Sequence, residues 1–480
     1  MIRTAFAAPF LLGTLLLASP VAALSQQEAL EARYDRALAA GYKALMLCGA
    51  IANAEANGVA RSPESVMQWE LSGIQAPLDA IISDLPHDIL RRPTGQIAHV
   101  AVRWADDMPA RIAAYYGPQT GCSILPIGAP EDSLDPSQPI PVETRADEGT
   151  AVQVKAAGRS QRRARPQSED GLDAVLIGAI GQGYGTGRTT AVVVNRYDAK
   201  GVLEEGRERY AAGFDEKTPQ RTWSVAKSIA ATLVGGAVLS GDFSADDPIG
   251  LNDWSGGGAA DLRSAITIDH ALRMATGRFT DTPGNRTDPL YYGGSTIKET
   301  VTPWPVLHRP GTVFRYANND TLLALIAIKP WLDFYPPHEL FAKLGMNHTV
   351  AETDWKGNYV LSSQVWATAP DLVRLGELYL RNGKLPSGER ILPEGWARYV
   401  STPSGPQPEG EFGYGAGFWL LNRSEGVPSD TFMAIGNRGQ YVVIVPSRQV
   451  VIVRRGEDPA GSGFDIAAFT RDVLAALASS

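Results

Sequence analysis

Ser224 and Lys227 are the residues whose types and spacing point most directly to chemistry in this sequence. They lie in Arg221-Thr-Trp-Ser-Val-Ala-Lys-Ser-Ile-Ala-Ala-Thr-Leu-Val-Gly-Gly-Ala-Val-Leu239, where Pro219 and Thr222 precede an Ala-rich apolar stretch that reads as a buried helix. Ser224 then falls in the first turn, so its N–H lacks an intrahelical acceptor and stands at the positive end of the helix dipole. Residues three apart share a helix face, which brings the lysine amine within reach of the hydroxyl. An amine can serve as base to that hydroxyl only if its pKa is depressed, and burial among apolar side chains does this. The chemistry implied is attack of a serine hydroxyl on a carbonyl.

Ser-x-x-Lys alone is a weak signal, and Ser295-Thr-Ile-Lys298 repeats it. That second copy follows Gly293-Gly294 and meets Pro303 within two turns, so no long buried helix is expected to hold it. Tyr316-Ala-Asn318 is the only Tyr-x-Asn in the chain and lies just before a helix expected to begin near Asp320. A phenol near an amine and a serine can shuttle a proton, and an amide can hydrogen-bond a substrate carbonyl. The bland alternative is a capping turn with a packed tyrosine. Ala434-Ile-Gly-Asn-Arg-Gly-Gln440 immediately precedes the strand Tyr441 to Val445. Gly436 there allows close backbone approach, and the Asn437 N–H can join that of Ser224 as an oxyanion hole; read alone, the segment is a tight turn into a hairpin.

In this order and context the three elements resemble the serine β-lactamase and penicillin-binding superfamily, whose pattern is Ser-x-x-Lys, Tyr-x-Asn or Ser-x-Asn, then Lys/His-x-Gly on a strand at the active-site edge. The resemblance covers about 171 to 480. It includes Ile266-Thr-Ile-Asp-His-Ala-Leu-Arg-Met-Ala-Thr-Gly277, Asp371-Leu-Val-Arg-Leu-Gly-Glu-Leu-Tyr-Leu-Arg-Asn-Gly383 and Ile391-Leu-Pro-Glu-Gly-Trp396, phrasing most like the class C branch with its esterase and 6-aminohexanoate-dimer hydrolase relatives. It implies Ser224 as nucleophile, Lys227 and Tyr316 sharing acid and base work, and Asn318 orienting substrate, with no metal or organic cofactor. One departure is Ala434, where the family usually has Lys or His. It removes a cation near the place a β-lactam or peptide carboxylate would occupy, and leaves open whether Arg438 substitutes. This fits the relatives that cleave esters or linear amides, and the expected partner is a small-molecule ester, amide or peptide substrate. A β-lactamase, a D-alanyl-D-alanine carboxypeptidase and a non-catalytic penicillin-binding-like sensor are the alternatives.

The elements that must position these residues can be read coarsely. The resemblance implies an α+β, transpeptidase-like fold: an antiparallel sheet assembled from both ends of residues 171–480 and flanked by helices, with a helical insert at about 241–400. Thr190 to Tyr197 reads as an early strand, Tyr441 to Val445 and Val450 to Arg454 as a late hairpin, and Asp465 to Leu477 as an amphipathic helix, while the Gly-rich run Gly178 to Gly187 reads as a loop. Ahead of this lies a small accessory α+β unit at 24–127, with a helix over Gln26 to Gly58 and strands near His99 to Trp104 and Ala110 to Tyr116. A Pro-, Ser- and Arg-rich linker or surface-wrapping arm follows at 128–170. Residues 1–23 read as a signal peptide: Arg3, an apolar run from Ala5 to Ala18 too short to span a bilayer, then Val21 and Ala23 before the expected cleavage. Export to the periplasm or beyond would allow Cys48 and Cys122, the only cysteines, to form one disulfide, with two buried thiols as the alternative. No later segment reads as a membrane span, and oligomeric state is not legible.

Composition excludes other classes. With 52 acidic against 44 basic residues the net charge of −8 repels phosphate backbones, so nucleic acid is not an expected partner. No Gly-x-Ser-x-Gly elbow occurs, no metal-binding spacing such as His-Glu-x-x-His is present, and the six histidines at 87, 99, 270, 308, 338 and 348 lie in no recognisable motif.

Overall fold

The structure is a computed structural model, and it describes residues 25–131, 171–255, 261–281 and 287–479. The signal peptide expected at 1–23 and most of the linker expected at 128–170 lie outside the described residues.

Helix α1 (Gln26–Ala56) starts at a capping box between Ser25 and Glu28 and is buried from Ala37 to Ala54. By length and composition α1 could cross a membrane, but its apolar stretch is wholly buried against the rest of the protein. It packs on an antiparallel meander of β1 (His87–Arg91), β2 (Ile97–Val102), β3 (Arg111–Tyr115) and β4 (Cys122–Ile124). Cys48 on α1 and Cys122 on β4 form the expected disulfide.

Among the described residues the main sheet has seven antiparallel strands. β5 (Thr189–Tyr197) and β6 (Leu203–Tyr210) come from the start of the second unit. β10 (Gly413–Tyr414), β11 (Trp419–Leu420), β12 (Phe432–Gly436), β13 (Gln440–Val445) and β14 (Val450–Gly456) come from its end, in the spatial order β10-β11-β12-β13-β14-β5-β6. Period-two alternation decides which layer each face meets. Val192, Val194, Val443, Val445, Val450 and Ile452 point to one core with α2 (Gly171–Ile180) and α6 (Ile466–Ser479). Val193, Val442, Ile444, Val451 and Val453 point to the other, with α3 (Val225–Ser240) and α5 (Ala369–Leu380). The Gly-rich run is only partly a loop, since Gly178 to Ile180 form the last turn of α2.

The helical insert also carries two short strands, β8 (Val350–Ala351) and β9 (Val365–Ala367), which pair with β7 (Gln220–Arg221) in the order β7-β9-β8. β7 leads directly into Ser224. The buried Arg455 of β14 fixes it there by donating to the carbonyls of Gln220 at 2.8 Å, Arg221 at 3.2 Å and Ala367 at 2.5 Å.

The accessory unit shares one apolar core with the larger unit. Arg111 of β3 is fully buried and donates to the carbonyls of Ala37, Leu125 and, across the junction, Tyr292 at 2.9 Å. The Cys122 N–H donates to Glu352 Oε1 at 3.0 Å, and Gly49 of α1 lies against the ring of Trp366. Gly41 makes the closest approach: a Cβ there would stand 2.0 Å from the Tyr292 carbonyl oxygen. Gly41→Ala should therefore destabilise the protein by about 2 kcal/mol or more, because backbone cannot yield as a side chain does. Thermal denaturation would show this as a lowered midpoint, and an unchanged midpoint would mean that α1 is not docked as described.

Candidate active site

Ser224 occupies the N-cap of α3, and its own N–H has no acceptor among the described residues. The preceding residue, Trp223, has φ +50°, a left-handed conformation that a bulky side chain adopts only when its surroundings hold it there. They do so from two sides: the buried Arg221 guanidinium lies 4.1 Å from the Trp223 ring centre, and Tyr42 of α1 stacks with that ring at 6.4 Å. Arg221 is fixed in turn by donating to Ser363 Oγ at 2.8 Å.

Lys227 is 1% exposed. Its amine reaches three neutral oxygens: Ser224 Oγ at 3.0 Å, Asn318 Oδ1 at 2.6 Å and the Ser362 carbonyl at 2.8 Å. Burial pushes its pKa down to about 7, with the nearby Asp281 charge opposing that fall. Near neutral pH the unprotonated amine is thus well populated. It can then keep donating to Asn318 and Ser362 while its lone pair accepts the Ser224 hydroxyl proton.

Tyr316 titrates in the opposite sense. Burial pushes its phenol up to about 12, partly offset by a hydrogen bond with Ser224. Its ring centre lies 5.0 Å from the Lys227 amine, and the rings of Trp419 and Tyr414 wall it at 5.4 and 6.2 Å. At neutral pH the phenol holds its proton, so of the two groups beside Ser224 the lysine is suited to accept and the tyrosine to donate.

Asn318 is the first residue of α4 (Asn318–Ala327). The sequence suggests that its amide faces substrate, whereas here the carboxamide is committed within the protein: Oδ1 accepts from Lys227, and Nδ2 donates to Asp281 Oδ1 and Thr287 Oγ1, each at 3.1 Å. Asp281, itself at φ +50°, also accepts the Asn319 N–H at 3.1 Å, so it fixes both the helix start and the direction of the amide. Ser362 is placed by a 2.6 Å hydrogen bond between its hydroxyl and that of Tyr291. Asp281, Thr287, Tyr291 and Ser362 belong to none of the sequence motifs. Their parts are played by single side chains or one carbonyl from three separate segments, the loop at Asp281, the short helix Asp288–Tyr291 with its N-cap Thr287, and the turn at Ser362, which leave no local spacing to read.

Gly436 ends β12, and a Cβ there would stand 2.2 Å from the Thr222 carbonyl oxygen, which brings the third element against the segment that carries Ser224. Ala434 is buried. Asn437, Arg438 and Gly439 form the turn into β13, and the Asn437 N–H has no acceptor among the described residues. Arg438 does not stand free beside Ser224. Its buried guanidinium donates to Glu457 Oε2 at 2.8 Å and to the carbonyls of Trp69 at 2.7 Å and Ser72 at 3.0 Å, locking the accessory unit to the turn. The competing Lys298 sits in a five-residue helix capped by Thr296, with Ser295 outside it.

Residues 182–475, more than half of the chain, match the Beta-lactamase family model. The chain belongs to the β-lactamase family. Among solved structures it is similar to a Bacillus anthracis protein assigned as a 6-aminohexanoate-dimer hydrolase, at 20% identity and a TM-score of 0.52 over 63% of this chain and 81% of that one. A class C β-lactamase aligns at 16% identity and 0.47 over 64% and 95%, and a penicillin-binding protein homologue from Pyrococcus abyssi at 18% and 0.47 over 64% and 77%. At these identities the likeness is one of fold. No curated protein matches in sequence. The chain is thus a serine β-lactamase-family hydrolase in fold and family.

Asn318→Leu removes the acceptor that aims the Lys227 amine, and misplacement by about 1 Å should lower kcat/KM by about 10²-fold while leaving KM nearly unchanged. Steady-state kinetics on any turned-over ester would measure it, and a purely KM effect would return Asn318 to substrate binding.

Proposed function

We propose that the protein is an exported serine hydrolase that cleaves esters or linear amides through an acyl-enzyme on Ser224. The observation that carries this reading is the buried Lys227 amine, 3.0 Å from Ser224 Oγ and with its pKa brought down to about 7. A pure binding protein has no need of a lysine amine that burial leaves unprotonated near neutral pH beside a serine hydroxyl.

In the proposed reaction Lys227 accepts the Ser224 proton as Oγ forms its bond to the substrate carbonyl carbon. The carbonyl oxygen becomes an oxyanion facing the N–H groups of Ser224 and Asn437. Tyr316 protonates the leaving group as the bond from carbon to that group breaks, and recovers a proton from Lys227. Water then attacks the acyl-enzyme with the same groups working in reverse. Amides have the more basic leaving group, so Tyr316→Phe should slow them by about 10²-fold and esters less. Equal effects on matched ester and amide substrates would remove the tyrosine from the proton path.

Hydrolysis of β-lactams or D-alanyl-D-alanine peptides is the less favoured reading. Ala434 supplies no cation for their carboxylate, and Arg438 is bound to Glu457. The relative assigned as a 6-aminohexanoate-dimer hydrolase lends the linear-amide reading a precedent within the fold. Export is supported by the apolar run at Ala5 to Ala18 and by the disulfide, which an oxidising compartment preserves.

A fluorophosphonate probe should label the wild type at Ser224 and leave Ser224→Ala unlabelled, while p-nitrophenyl acetate should be turned over far faster than nitrocefin. Labelling that persists in Ser224→Ala would move the nucleophile elsewhere, and dominant nitrocefin turnover would restore the β-lactamase reading.

A further inference from the structure

Arg438 follows Asn437, whose N–H has no acceptor among the described residues and faces the oxyanion in the proposed reaction. The Arg438 backbone lies in the left-handed region at φ +57°, and Gly439 follows at φ +79°. Hairpin turns with such torsions ordinarily take Gly, Asn or Asp, because a longer side chain there crowds its own backbone. An arginine keeps that conformation only where its surroundings over-determine it.

Those surroundings come from both units of the chain. The buried Arg438 guanidinium donates through Nε to Glu457 Oε2 at 2.8 Å, and through Nη2 to the carbonyls of Trp69 at 2.7 Å and Ser72 at 3.0 Å. Trp69 closes the short helix Pro63–Trp69, so its carbonyl lacks an intrahelical donor and stands at the negative end of the helix dipole. Arg188 donates to the same two carbonyls, each at 3.1 Å, and to Ser72 Oγ at 3.0 Å, while its Nε is fixed by the Glu457 carbonyl at 2.8 Å. The Gly73 carbonyl accepts the Ala460 N–H at 2.7 Å, which docks the same accessory segment on the loop just past Asp458. Arg438 thus grips a segment that is itself held from two directions.

The Arg438 backbone is clamped as well. Its N–H donates to Asn437 Oδ1 at 2.9 Å, and its carbonyl accepts from Gln440 Nε2 at 3.1 Å and from the Asp458 N–H at 3.2 Å. Gly436 sets the other end of the peptide that carries the Asn437 N–H. It is pressed against the Thr222 carbonyl oxygen, where a Cβ would stand at 2.2 Å, yet glycine torsions are the least restricted of any residue. Gly436 alone therefore does not fix the direction of that N–H, and the next restraint along the chain is Arg438.

We propose that Arg438 is a positioning residue for the oxyanion turn: by gripping the Trp69 and Ser72 carbonyls, it makes the accessory unit hold the Asn437 N–H in line with that of Ser224. This deepens the acyl-enzyme reading above and rests on it. The test compares p-nitrophenyl acetate with its thionoester, in which sulfur replaces the carbonyl oxygen, in the wild type, Arg438→Gln and Arg438→Lys. Sulfur is a weak hydrogen-bond acceptor, so the ratio of kcat/KM for the oxygen ester to that for the thionoester reports how well the oxyanion donors are aimed. In Arg438→Gln, kcat/KM for the acetate should fall by about 10²-fold, and the ratio by about tenfold. Arg438→Lys keeps a charge opposite Glu457 but cannot span both carbonyls, so its ratio should lie between those of the wild type and Arg438→Gln. A substitution that only loosens the fold slows both esters alike. A ratio that stays at the wild-type value in Arg438→Gln, or in Arg438→Lys where the glutamine variant does not fold, would overturn the positioning role alone. Absence of turnover of both esters by the wild type would overturn the hydrolase reading together with it.

Discussion

A lysine amine that is 1% exposed and hydrogen-bonded to a serine hydroxyl, an asparagine carbonyl and a backbone carbonyl is held without a carboxylate in contact, among the described residues. That arrangement disfavours the charged form, because three neutral oxygens replace only part of the hydration an ammonium loses. Much of the surrounding structure keeps those oxygens in place. Asp281 and Thr287 turn Asn318 so that its oxygen faces the amine, and Tyr291 pins Ser362. The aspartate is held one residue away by the asparagine, so its charge moderates the pKa of the lysine without neutralising the effect of burial.

The same logic explains why the accessory unit is fused to the hydrolase unit instead of tethered beside it. Trp223 adopts a strained backbone immediately before Ser224, and one of the two groups that hold its ring is Tyr42 of α1. The strand leading to it, β7, is fixed by Arg455 from the main sheet. Serine placement therefore depends on contacts from the accessory helix, the central sheet and the short sheet of the insert. A strained φ persists where the surroundings over-determine it, and three independent supports do so here.

The sequence carried the regular parts of this fold well. α1, β2, β3, β5, the β13–β14 hairpin and α6 lie where hydrophobic periodicity places them, because each buries one face and periodicity reports burial. The closeness of Ser224 and Lys227 follows from helical spacing alone. What the sequence leaves out concerns partners distant in sequence. Arg438 looks like a free cation until Glu457 and the carbonyls of Trp69 and Ser72 are folded around it, and Asn318 looks available to substrate until Asp281 takes its NH2. The docking of α1 is hidden in its glycines and alanines, whose meaning depends on the Tyr292 and Trp366 that lie over them.

The central claim is that burial makes Lys227 the base for Ser224, and the pH dependence of the second-order rate of Ser224 acylation by a fluorophosphonate tests it most directly. The rate should rise with pH along a limb centred near 7 and plateau above it, because the unprotonated amine is the reactive form. In Lys227→Ala that limb should vanish with most of the rate. A limb centred near 10, the ordinary lysine range, or one that survives in Lys227→Ala, would contradict the account.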